Sequence, residues 1–92
     1  MAVEVSIPTI LRSYTDGAKR VDAAGGSLAE VLSDLDAHFP GIRERLVDGT
    51  GLRRFVNVYL NDEDVRFLAG LDTSISEGDQ VTILPAVAGG GR

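Results

Sequence analysis

Ninety-two residues, 43% of them hydrophobic and 25% charged, make one domain with a single modest core and exclude both a disordered chain and two independent domains. A formal charge of −5 opposes nucleic acid and anionic membranes and suits a partner with a basic patch. The absence of cysteine excludes disulfides, thiolate metal sites and cysteine catalysis.

Residues 2–7 alternate Val3, Val5 and Ile7 against Glu4, the period of a strand with one buried face, and Pro8 ends it. Thr15-Asp16-Gly17 is a turn signal, and a second strand is expected over 19–23 with Val21 inward, forming a hairpin with the first. After Gly25-Gly26, Ser27 is an N-cap candidate with Glu30 at capping-box spacing. Leu28, Val31, Leu32, Leu35 and Phe39 then form one helical stripe, opposite Glu30, Ser33, Asp34, Asp36 and His38. Pro40-Gly41 stops that helix, and 42–46 has the pattern of a further short helical turn before the loop Asp48-Gly49-Thr50-Gly51.

A strong strand is expected over 55–60, with Val56, Val58 and Leu60 on one face. Asn61-Asp62-Glu63-Asp64 is a polar turn leading to an expected short strand, Val65-Arg66-Phe67. A connector with one tight helical turn is expected over 71–75. Glu77-Gly78-Asp79 turns into a last strand over 80–84, where Pro85 removes a backbone donor. The order β-β-α-β-β-β implies a two-layer α+β domain, a mixed four- to five-stranded sheet covered by one main helix. The last strand is the most continuously apolar, which places it centrally, parallel to the first.

Past Pro85, Val87-Ala88-Gly89-Gly90-Gly91-Arg92 divides the chain into a body, 1–86, and a tail, 87–92. Glycine pairs carry no side chain, so such a tail is either a thread that offers a terminal carboxylate or a frayed or leftover end. From Val87 to Gly90 it extends roughly 13 Å at ~3.3 Å per residue, enough to enter a narrow active site.

These elements, with Val58-Tyr59-Leu60-Asn61, the Glu77-Gly78-Asp79-Gln80-Val81 turn and Gly89-Gly90, resemble the ubiquitin-like β-grasp sulfur carriers of the ThiS and MoaD type across essentially the whole chain. The stretches 55–67 and 85–90 are most similar to the cysteine-biosynthesis branch of that family. The resemblance implies a protein cosubstrate, not an enzyme. A MoeB/ThiF-type E1-like enzyme would use ATP and magnesium to adenylate the Gly90 carboxylate, with Val87, Ala88 and Gly89 recognised as tail. Sulfur would then displace AMP to leave a thiocarboxylate, consumed by a cysteine-synthase-like or other acceptor. The pattern departs in one place: family members work with the second glycine terminal, whereas Gly91 and Arg92 follow here. The chain is then either a precursor trimmed after Gly90 or Gly91 by a JAMM-type metallopeptidase, or a divergent or retired carrier.

Other chemistry is weaker. His38 suits the helix C-terminal dipole. Asp62, Glu63 and Asp64 match no metal-loop spacing. The glycine run lacks the residues of a phosphate loop, and no catalytic constellation is present, so no intrinsic cofactor or metal is expected. Arg43, Arg45, Arg53 and Arg54 form a basic cluster that is either a solvated face or a partner contact. Phe55, Tyr59 and Phe67 are expected mostly in the core, with one available for a docking patch. With no membrane-length apolar run and no leader pattern, a monomer in the cytoplasm, free of nucleic acid and membrane, is the expectation. Two other classes remain: a protein modifier forming isopeptide bonds through the diglycine, and an interaction module with an idle tail.

Overall fold

The structure is a computed structural model, described over residues 2–49, 51–54 and 56–85. Alternation in the first segment makes strand β1 (Ala2–Ser6), which buries Val3 and Val5. It pairs antiparallel with β2 (Arg20–Ala24), one residue later than the expected bounds; Ala23 is buried and Val21 packs partly buried against the core. The connection is not a simple turn. Thr9–Thr15 winds into a 3-10 helix that buries Leu11 and ends on left-handed Asp16 and Gly17. Buried Thr15 satisfies its hydroxyl on the Ala18 carbonyl at 2.9 Å.

Helix α1 (Leu28–His38) forms where the apolar stripe and cap agree. Ser27 Oγ accepts from the Glu30 amide at 3.3 Å, while Glu30 Oε1 accepts from the Gly26 amide at 2.7 Å, one residue upstream of the usual capping-box partner. Gly25 lies so close to this first turn that a Cβ would stand 2.7 Å from the Val31 nitrogen. Leu28, Val31, Leu32 and Leu35 are buried and Phe39, the C-cap, is half-buried. Asp36, on the polar side, caps the next element: its Oδ1 accepts from the Gly41 and Arg43 amides at 3.0 and 3.1 Å. That element is α2 (Ile42–Leu46), followed by a small hairpin of β3 (Val47–Asp48) and β4 (Gly51–Leu52) where a plain loop was expected.

Strand β5 (Val56–Leu60) buries Val58 fully, with Val56 and Leu60 packed on the core margin. The expected strand at Val65-Arg66-Phe67 is instead a 3-10 helix. The strand pairing falls on β6 (Glu63–Asp64), whose Asp64 Oδ1 accepts from the Arg66 amide at 2.8 Å and bends the chain out of the ladder. Val65 then turns into the core, leaving Phe67 85% exposed, against its expected burial. A further 3-10 helix, Gly70–Asp72, supplies the expected tight turn. Gly78 holds φ at 90° in the turn before β7 (Gln80–Pro85).

The sheet order is β2-β1-β7-β5-β6, with β7 central, parallel to β1 and antiparallel to β5. Val3, Val5, Val58, Val81 and Ile83 of the sheet and Leu28, Val31, Leu32 and Leu35 of α1 make one core. At ~25 cal/mol per Å² of apolar area removed from water, that shared core is the main stabilising term. This is the expected two-layer α+β arrangement, the ubiquitin-like β-grasp. No helix among the described residues is long and apolar enough to cross a membrane.

Candidate functional site

Two clasps decide where β7 delivers the chain. At its start, left-handed Asn61 (φ 58°) donates its amide to the Gln80 carbonyl at 2.7 Å and accepts from the Gln80 amide through Oδ1 at 3.1 Å. Asp79 closes the turn, with Oδ2 accepting from the Ser76 amide at 2.8 Å and Oδ1 from Asn61 Nδ2 at 3.4 Å. The Asn61 and Asp79 positions singled out in the sequence are therefore structural. They sit at the end of β7 opposite its exit and set the β5–β7 register.

The exit end is built differently. The β1–β7 ladder runs from Glu4–Gln80 and ends at Ser6–Thr82, so Ile83, Leu84 and Pro85 run on beside β5 alone, to the pair Val56–Pro85. Pro85 has no N–H to extend that ladder. Val81 and Ile83 face the core, and Thr82 and Leu84 face the side of the sheet that α1 does not cover. Leu84 is 44% exposed there and borders a shallow depression of about 220 Å³ with Tyr59, Asn61, Asp62 and Thr82. Tyr59 is half-buried on this face, not a core residue.

Around the same end, Arg45 and the adjacent pair Arg53 and Arg54 converge from two separate segments; Arg43 does not join them. Arg45 Nε donates to the Tyr14 hydroxyl at 2.7 Å, with the guanidinium carbon 5.9 Å from the ring centre. The Tyr14 hydrogen bond raises the Arg45 pKa above its usual value. Arg53 Nε donates to the Glu44 carbonyl at 2.8 Å. Arg66 joins the exit region from the other side, donating to the Arg53 carbonyl at 2.7 Å and to Asn57 Oδ1 at 2.8 Å. Tyr14 was missed because its partner lies 31 residues away; a tyrosine in a turn-rich segment carries no periodic signal.

Val87, Ala88, Gly89, Gly90, Gly91 and Arg92, together with Phe55, lie outside the described residues. Among the described residues no group of three or more His, Asp and Glu side chains is placed to hold a metal ion. His38 lies on the solvent side of α1, its Nδ1 2.9 Å from the Asp34 carbonyl. No nucleophile, base and oxyanion donor are assembled in the described part.

A β-grasp body whose central strand runs on past β1, followed in sequence by a glycine pair, is the arrangement of the ubiquitin-like proteins. The chain belongs to the ThiS family, whose profile matches residues 5–90. It is 61% identical to the sulfur carrier protein CysO of Mycobacterium tuberculosis, over 98% of this chain and all of that protein. The crystal structure of M. tuberculosis CysO superposes with a TM-score of 0.89 at 60% identity, covering 92% of this chain and 99% of that one. In the Amycolatopsis orientalis BexX/CysO complex, the matched chain gives a TM-score of 0.91 at 54% identity, with 95% and 98% covered. The small archaeal modifier protein 3 of Haloferax volcanii is 36% identical over 70% of each chain. The family match and the likeness to CysO support a carrier role for the chain, since proteins of this kind are small carriers rather than catalysts.

Proposed function

We propose that the Gly90 carboxylate, freed by removal of Gly91 and Arg92, is the group on which sulfur is carried. An E1-like enzyme of the MoeB/ThiF type holds ATP and magnesium; this chain brings only the carboxylate. The carboxylate oxygen attacks the α-phosphorus, pyrophosphate leaves, and the resulting acyl adenylate turns a poor acyl electrophile into a good one. Sulfide sulfur adds to the carbonyl carbon, the bond to AMP breaks, and a thiocarboxylate remains. An acceptor synthase, of the cysteine-synthase-like class in this reading, then uses that sulfur as a nucleophile.

The observation that carries the reading is the family match, which runs through the body and ends on Gly90. In this reading the two parts do different work: 1–86 docks, and 87–92 threads and is shortened by a JAMM-type metallopeptidase. Val87 and Ala88 space the diglycine from the body, and the absence of side chains at Gly89 and Gly90 lets the tail pass a slot that excludes bulkier residues. The test is the chain ending at Gly90, incubated with its activating enzyme, ATP, magnesium and sulfide. A mass gain equal to one oxygen replaced by sulfur supports the reading, and an unchanged mass with an enzyme active on another carrier sinks it.

The likeness to an archaeal modifier protein favours a second reading, isopeptide conjugation through the same carboxylate. Branched glycine remnants on lysines of other proteins after digestion would separate it from sulfur transfer.

A further inference from the structure

A groove of about 460 Å³ lies at the end of the sheet from which β7 exits. Its position follows from strand direction. Strand β1 runs parallel to β7, so the Thr9–Thr15 helix that follows β1 begins at the exit end. Strand β5 runs antiparallel, so Arg53 and Arg54, just before it, lie at that end too. Ile10, Tyr14 and Val56 give the groove an apolar side, with Ile10 69% exposed, and Arg45, Arg53 and Arg54 give it a cationic one that outweighs its single acidic lining residue, Asp48. Three of the nine Lys and Arg residues of a chain with net charge −5 thus gather at one groove. Arg45 is held by Tyr14 and Arg53 by the Glu44 carbonyl, while exposed Arg54 makes no hydrogen bond or ion pair with any described residue.

We propose that this groove receives a carboxylate-bearing segment of the adenylating enzyme, clamping the body while the tail is in that enzyme's active site. The inference rests on the carrier reading above. Charge complementarity selects an acidic partner segment, and exposed Ile10 beside half-buried Val56 selects a peptide with an apolar residue over a bare anion. A contact at the root of the tail fixes the carboxylate's approach better than one at the far end of the sheet.

The test measures pyrophosphate release against carrier concentration, using the chain ending at Gly90 and its purified adenylating enzyme. The carriers compared are the unsubstituted chain, Arg54→Glu, Arg54→Lys and Arg43→Glu, each checked by thermal melting. Arg54→Glu raises KM about tenfold with kcat unchanged, and Arg54→Lys stays within about twofold. Arg43→Glu changes the net charge equally but lies outside the groove, and it leaves KM within about twofold. Arg54→Glu with an unaltered KM overturns the groove assignment and leaves the carrier reading standing. No pyrophosphate release from the unsubstituted chain overturns both.

Discussion

Asn61 and Gln80 are bonded twice, amide to carbonyl at 2.7 Å and side-chain Oδ1 to amide at 3.1 Å, across 19 residues of sequence. The pair locks the first rung of the β5–β7 ladder, and every later rung, down to Val56 opposite Pro85, inherits its register. A slip of one residue would turn Val81 and Ile83 out of the core and move the exit point.

Asn61→Ala removes the side-chain bond and leaves a residue with a Cβ in the left-handed region. The expected loss is about 1–3 kcal/mol in denaturant unfolding, with faster hydrogen exchange at the Gln80 amide. Asn61→Gly keeps the backbone angle and should lose less. Equal losses for the two would show that the angle, not the bond, is irrelevant to the clasp.

Gly25→Ala places a methyl group 2.7 Å from the Val31 nitrogen, within the capped first turn of α1. Backbone cannot give way cheaply, and a loss of about 1–3 kcal/mol is expected. Gly49→Ala meets nothing within 4 Å, so its midpoint in urea should hold or rise slightly.

Leu35→Ala empties a fully buried site between α1 and the sheet and should cost about 2–5 kcal/mol. Phe67→Ala removes a larger side chain that is 85% exposed and should shift stability by no more than about 0.5 kcal/mol. The contrast in melting temperature reverses the order that residue size alone would suggest.

Gly89→Val puts a branched side chain where the proposed threading needs a thin tail. Adenylation of the chain ending at Gly90 is expected to fall about 100-fold, the scale of a misplaced reacting group, with the melting temperature unchanged. Full activity of this variant would remove the argument from a narrow slot.

The elements that sequence reveals well are those with a period. The α1 stripe repeats cleanly and its cap is local, and β7 is a continuous apolar run, so both the helix and the central strand could be placed in advance. Segments without a period were harder. Thr9–Thr15 and Val65–Phe67 are 3-10 helices, fixed by Leu11 and Val65 anchoring in the core and by Asp64 capping Arg66, not by any repeat. Phe67 shows that an apolar residue need not be inside. At the candidate site the arginines were visible as a cluster along the chain. Their sorting into three that line the groove and one, Arg43, that does not depends on Tyr14 and on strand directions that only the fold supplies.

The most direct measurement is the intact mass of this protein isolated from the cells that make it, before and after treatment with a thiol-reactive alkylating reagent. The account predicts a species ending at Gly90, part of it heavier by the exchange of oxygen for sulfur and alkylated at that sulfur. A single species retaining Gly91 and Arg92, unreactive to the reagent under every sulfur supply tested, would contradict it.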